Sequence, residues 1–149
     1  MPLGVMMARA EIMDWKPGAH ASTFGGNPVC LAAAMETARL LEEKYVANAA
    51  AVGKFMKGEL SKLMDLHPTI GDVRGLGLML GVEIVKDRES REKAPALRDA
   101  IVDACFKKGL LILGAGPSSI RFSPPLVIDE EQAKFAVDTF SAAISAVAD

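Results

Sequence analysis

Apolar positions recur along the chain with two rhythms, and each predicts a different element. Leu31, Met35, Ala38, Leu41, Tyr45, Ala49, Val52, Met56, Leu60 and Leu63 keep a three-four spacing. That is the stripe of an amphipathic helix. Asn27 precedes it as a capping side chain, and Pro28 takes its first position, where a missing N–H costs nothing. His67-Pro68 ends it. Unbroken from Pro28 to Leu66, the helix runs roughly 58 Å at 1.5 Å per residue. Gly53 and Gly58 are where it is expected to bend. Such a length exceeds the width of a small domain, so the helix is expected to connect two bodies of structure.

Further on, the period falls to two. Thr69 to Gly75 reads as a short strand and turn, followed by a strand from Leu76 to Val85. Leu76, Leu78, Leu80, Val82 and Ile84 share one face of that strand; Gly77, Met79, Gly81, Glu83 and Val85 share the other. Residues 86–94 are charged and exposed. Pro95 opens a helix with Leu97, Ile101, Ala104 and Cys105 inward, stopped by Gly109. Leu110 to Leu113 is a buried strand, Gly114 to Pro117 a turn, and Ser119 to Ser123 another strand. Asp129, with Gln132 three residues on, caps a last helix whose stripe is Ala133, Val137, Phe140, Ile144 and Val147. From residue 69 onward the pattern is a small α+β unit, strands with helices on one face. At the front, Met1 to Ala8 has the look of a buried strand, yet no obvious pairing partner follows it before Thr69. The expectation is a chain that was once longer at its front.

Bulk properties narrow the function classes. Of the 149 residues, 50% are hydrophobic and 24% charged, which marks a globular chain. A net charge of −2, with Lys and Arg scattered among acids, argues against a nucleic-acid surface. No segment reaches the ~18 apolar residues of a membrane helix. Cys30 and Cys105 have no metal-spaced partners and read as reduced, buried thiols of a cytoplasmic protein.

The densest chemistry lies at His20-Ala-Ser-Thr-Phe-Gly-Gly-Asn-Pro28. Hydroxyls (Ser22, Thr23), a flexible turn (Gly25, Gly26) and a helix start together suit a phosphate. Downstream, Ile120-Arg121-Phe122-Ser123-Pro124-Pro125-Leu126 sets an arginine mid-strand, on the face opposite Ile120 and Phe122. Its planar fork matches a carboxylate. Val73-Arg74-Gly75-Leu76-Gly77-Leu78-Met79 reads as a hairpin whose glycines pack and whose Arg74 is structural. His20 reads as a loop residue, and His67 as structural.

These segments, in this order, resemble class III aminotransferases, which use pyridoxal 5′-phosphate (PLP). The resemblance implies an α/β fold, that of the fold type I PLP-dependent transferases. It covers the whole chain but only about the last third of a complete enzyme. Residues 1–27 would be the remnant of the large PLP-binding domain with its phosphate-binding loop, 28–66 the linker helix, and 67–149 the C-terminal small α+β domain. By the same resemblance Thr23, with Ser22 beside it, holds the cofactor phosphate across a dimer, and Arg121 binds a substrate carboxylate.

The Schiff-base lysine, the acid at the pyridine nitrogen and the aromatic residue on the ring would all lie upstream of residue 1. Lys16 comes too late and in the wrong context, and Lys44, Lys54 and Lys57 belong to the amphipathic helix and read as solvated, so no catalytic residue is assigned within the chain. The implied activity moves an amino group from an amino acid, 4-aminobutyrate or a similar ω-amino acid, to a 2-oxo acid. The implied partners are a second copy in a homodimer or higher oligomer and a complementing N-terminal chain. The alternative is a non-catalytic fragment that keeps the small-domain fold for oligomerisation or binding.

Overall fold

Asn27 begins the first helix as its side chain predicts. Its Oδ1 accepts hydrogen bonds from the N–H groups of Val29 (3.0 Å) and Cys30 (3.2 Å), and Pro28 follows at the first helical position. In the computed structural model, which describes residues 3–147, helix α1 runs over Pro28–Leu40. A π turn follows at Leu41–Tyr45, then helix α2 over Val46–Leu66. Every residue from Pro28 to Leu66 is therefore helical. The interruption in the α-helical pattern is the π turn; Gly53 and Gly58 lie within the continuous helix α2.

The chain divides into two compact units, Met1–Lys44 and Tyr45–Asp149. In the first, residues 3–27 hold no strand or helix, only turns and extended backbone. Of the strand expected over Met1–Ala8, Met1 and Pro2 lie outside the described residues, and residues 3–8 form no strand and pair with none of the described residues. A strand exists only through its ladder. Without one the apolar run stays open, with Val5 80% and Met7 92% exposed. Cys30 is the only buried residue among those described in this unit.

The second unit carries the core. Strands β1 (Ile70–Leu76), β2 (Met79–Ile84), β3 (Leu113–Ala115) and β4 (Ser119–Phe122) form one sheet in the order β1-β2-β4-β3, every neighbouring pair antiparallel. Helix α3 (Pro95–Lys107) connects β2 to β3, and β4 then inserts between them. Leu80, Val82 and Ile84 of β2 and Ile120 and Phe122 of β4 point to the side covered by helices. There they meet Val52, Met56, Leu60 and Leu63 of α2, Ile101 and Cys105 of α3, and Ala133, Val137, Phe140 and Ile144 of α4 (Glu130–Val147). Phe122 and Phe140 stack edge to face with centroids 5.2 Å apart. Each such large side chain contributes about 1.5–3 kcal/mol of burial. Burial also pushes the Cys105 thiol up to about 11, so it is protonated and inert.

The strand expected from Leu76 to Val85 is in fact two, because Gly77 and Leu78 form a two-residue turn between β1 and β2. Gly77 has φ +55, the positive value the first turn position of a II′ hairpin takes. Leu76 is then left 88% exposed, whereas Leu78 tucks under the turn. Helix α2 crosses this turn closely. A Cβ on Gly53 would stand 2.7 Å from the Gly77 Cα and nearer still to its carbonyl. Gly53 is thus a contact residue, while Gly58 faces open space. The strand expected at Leu110–Leu113 forms later, at Leu113–Ala115, where β4 offers partners.

The α4 cap is reciprocal, as Asp129 and Gln132 predict: Asp129 Oδ1 accepts from the Gln132 N–H (2.8 Å), and Gln132 Oε1 accepts from the Asp129 N–H (3.3 Å). Residues 86–94 form a loop closed on itself. Val85 bridges Lys93, Lys86 N–H donates to the Glu92 carbonyl (2.8 Å), and Lys86 pairs with Glu92. The buried Ser118 hydroxyl donates to the Ile84 carbonyl and accepts from the Ala94 N–H (2.9 Å), joining the loop's two feet. At the end of α2, His67 Nε2 meets Ser141 Oγ of α4 at 2.8 Å.

Two measurements check this packing. Gly53→Ala should cost about 1–3 kcal/mol in urea denaturation because α2 must lift from the turn. Gly58→Ala should instead stabilise by roughly 0.4–1 kcal/mol; equal effects of the two would refute the close approach. Burial holds the His67 pKa below its ordinary 6.5. The neutral ring therefore stabilises the fold fully above pH 6.5, and that contribution is lost as pH falls through the lowered value. Subtracting the thermal unfolding curve of His67→Asn from that of the parent should isolate this decline; a difference flat with pH would contradict it.

Candidate functional site

Ser22 and Thr23 lie at the start of the turn that feeds α1. The Gly25 N–H donates to the Ser22 carbonyl (3.3 Å), and Gly26 takes φ +72 to bring the chain round to Asn27. Both hydroxyls are exposed, and neither has a hydrogen-bond partner among the described residues. Two free donors beside a capped helix start fit the oxygens of a phosphate. Phe24 between them and the cap is 83% exposed. His20 sits edge-on to Trp15, centroids 5.8 Å apart, and takes no part in a catalytic pair among the described residues.

Arg121 belongs to the other compact unit, on β4. Ile120 and Phe122 turn to the core, so Arg121 emerges on the sheet face that the helices leave open. Pairing builds a row across that face: Arg74 on β1 opposes Gly81 on β2, Gly81 opposes Arg121, and Arg121 opposes Leu113 on β3. The adjoining row holds Asp72, Glu83, Ser119 and Ala115.

The two arginines have different surroundings. Arg74 donates through Nη1 to Asp72 Oδ2 (2.8 Å) and Glu83 Oε2 (3.0 Å), and through Nη2 to Ser119 Oγ (3.1 Å). Its hydrogen bond to Asp72, with Glu83 close by, holds its pKa above the ordinary arginine value. Arg121 has no acidic partner and no hydrogen bond among the described residues. It is exposed and charged, and it faces a cavity of about 400 Å³ lined also by Arg74, Gly81, Glu83, Lys93 and Ser119. Lys93, too, has no ion-pair partner among the described residues. Asp72 and Glu83 are taken up by Arg74, so Arg121 and Lys93 leave the cavity positive, although the chain as a whole carries −2. Such a trough holds an anion, and Arg121 is the group free to bind one.

Beyond Arg121 the chain is held firmly. Asn48 Nδ2 on α2 donates to the Leu126 (2.7 Å) and Ile128 (2.9 Å) carbonyls, fixing the segment that follows Pro124 and Pro125. Sequence reasoning found Arg121, with Ser119 on the same strand face, but not Lys93, nor the pairing that sets Glu83 and the gap at Gly81 beside them. Lys93 sits in a charged stretch that reads as solvated, and only its bridge to Val85 brings it to the cavity. Ser22 and Thr23 lie in one compact unit and Arg121 in the other.

Comparison with known proteins identifies the family. The family model described as aminotransferase class-III matches residues 1–144. The leucine/methionine racemase of Thermococcus litoralis is 37% identical over 149 residues, 99% of this chain and 34% of that protein. The acetylornithine aminotransferase of Thermosynechococcus vestitus is 35% identical, over 99% of this chain and 35% of that protein. Among solved structures, the PLP-bound amine transaminase of an uncultivated Pseudomonas species superimposes with a TM-score of 0.81 at 31% identity, covering 88% of this chain and 30% of that one. The chain thus spans about a third of the length of the curated relatives it matches. Its fold is that of the fold type I PLP-dependent transaminases, and the chain belongs to the class III aminotransferase family.

Proposed function

We propose that this chain is the C-terminal third of a PLP-dependent aminotransferase and supplies two anion sites to the complete enzyme. The observation that carries the reading is Arg121: an unpaired guanidinium in a positive cavity, on the one sheet face the helices leave open. In the proposal its fork binds and orients the carboxylate of an amino acid or 2-oxo acid. Ser22 and Thr23 donate their hydroxyls to the cofactor phosphate. Bound PLP supplies the electron sink for amino-group transfer, and the lysine that holds it comes from outside residues 1–149. The two hydroxyls of the turn at residues 22–26, without hydrogen-bond partners among the described residues, and its place at a helix start support that reading.

The amino donor is proposed to be 4-aminobutyrate or a similar ω-amino acid, in keeping with the motifs around Thr23 and Arg121. Relatives named for a racemase and for an acetylornithine aminotransferase match comparably. The element common to these readings is an amino acid held by its carboxylate. The proposed setting is the cytoplasm, in a homodimer or higher oligomer together with a chain that supplies the lysine. Apolar side chains left open in the first unit, Val5, Met7 and Phe24 among them, support a partner there. They also favour the second reading, a non-catalytic fragment that assembles through these surfaces.

Co-production with the upstream two-thirds of a class III relative tests the proposal. The expected result is transamination between an amino acid and a 2-oxo acid that neither part performs alone. Arg121→Ala should raise KM for the carboxylate substrate about 10–100-fold, the worth of a charge-assisted hydrogen bond pair. Thr23→Ala should weaken cofactor retention about tenfold with KM for substrate little changed. Stable assembly without activity in any pairing would favour the non-catalytic reading. Activity indifferent to Arg121 would remove the carboxylate role.

A further inference from the structure

Gly81 stands in the middle of the sheet, paired on one side with Arg74 and on the other with Arg121. A glycine inside a strand weakens it, through lost chain entropy and a missing side chain. Two structural reasons could require one, and neither holds here. Its φ lies outside the left-handed region. A Cβ built on it would meet a single atom, the Arg74 Cγ, at 3.9 Å, an ordinary contact distance. Gly53 and Gly75 differ, since a Cβ at either would run into backbone. The fold therefore tolerates a side chain at 81, and the sequence does without one.

What the missing side chain leaves open is the floor of the positive cavity. Cross-strand neighbours on one face have Cβ atoms about 4.5–5.5 Å apart. A side chain at 81 would thus stand between the stems of Arg74 and Arg121, its Cβ touching Arg74 Cγ and anything larger filling the space toward Arg121. Arg74 does not close the gap itself, because Asp72, Glu83 and Ser119 hold its guanidinium over the neighbouring row.

We infer that Gly81 is a specificity-determining residue: its bare backbone sets the width of the trough in which a ligand carboxylate reaches Arg121, with Arg74 tied back as the opposite wall. The inference rests on the reading of Arg121 as a carboxylate binder. It adds that the size of residue 81, rather than charge alone, decides which carboxylates enter. Bulk next to the carboxylate is accommodated over the glycine and excluded by any larger residue.

The test is a titration of the isotopically labelled full chain with glutarate, followed by NMR at the Arg121 side chain and at the residue 81 amide. Thermal unfolding is recorded for each variant. Gly81→Ala and Gly81→Val should melt at or above the parent temperature, yet bind glutarate about 3-fold and about 10-fold or more weakly, respectively, in order of side-chain volume. If both variants bind as the parent does while Arg121→Gln loses binding, the role of Gly81 is overturned and the reading of Arg121 stands. If Arg121→Gln binds as tightly as the parent, or the parent shows no saturable binding up to roughly 50 mM, the reading of Arg121 fails and takes the inference with it. Should Gly81→Val prove unstable, Gly81→Ala decides alone: unchanged affinity counts against the inference, and a 3-fold loss at undiminished stability supports it.

Discussion

Helix α2 can lie against the β1–β2 turn only because Gly53 carries no side chain, while Gly77 supplies the positive φ that the turn requires. That approach decides which face of the sheet is buried. With α2 seated on the turn, Val52, Met56 and Leu60 reach Leu80, Val82 and Ile84, and α3 and α4 complete the same layer. Packing of this density on one side makes strand register strict, since a slip of one residue would exchange the two faces. The side chains that alternate the other way have no helix to meet. Asp72, Arg74, Glu83, Ser119 and Arg121 are thereby gathered on one open surface, a consequence of core packing and not of any attraction among them.

On that surface, electrostatics separates two residues of the same type. Arg74 is surrounded by every acid within reach, and its role is consumed in crossing from β1 to β4. Arg121, one glycine away, has none. A guanidinium exposed to water costs little to leave unpaired, so the fold bears no penalty for it. An arginine that does nothing for the fold but stands at the wall of a concave surface is informative about ligands. The same division recurs in the turn at residues 22–26, where Asn27 is occupied with its helix while Ser22 and Thr23 are not.

Much of this was legible in the amino-acid pattern because it rests on local rules. Asn27-Pro28 and Asp129 with Gln132 announce helix starts through their own side chains, and β2 shows its alternation from Leu80 to Ile84. The misreadings arose where a local signal is silent. The leucines alternate straight through the turn, so Leu76 reads as in phase with Leu78 and Leu80, whereas the two-residue turn sets Leu76 opposite Met79 and reverses the alternation at a bend marked by Gly77 alone. The π turn Leu41–Tyr45 carries ordinary helix formers and announces nothing. Met1–Ala8 has the composition of a strand, but a strand depends on its partner, which composition cannot supply. Arg121 was visible as a mid-strand charge. Its isolation, and the space beside it, depend on pairings between β1, β2 and β4 that no single segment encodes.

The loop over residues 86–94 has a bearing on how such a surface diversifies. Its feet are pinned by Ser118 and by the Val85–Lys93 bridge, Lys86 pairs with Glu92 within it, and Arg88 donates outward to the Ile70 and His67 carbonyls. Loop closure entropy rises only slowly with length. Insertions or deletions between Glu89 and Glu92, beyond the Arg88 anchor, would therefore leave the core indifferent while changing what hangs at the rim beside Lys93. In lineages that share this fold, that excursion is a place where length can drift freely and where selection can act on the rim of the site without disturbing the sheet beneath it.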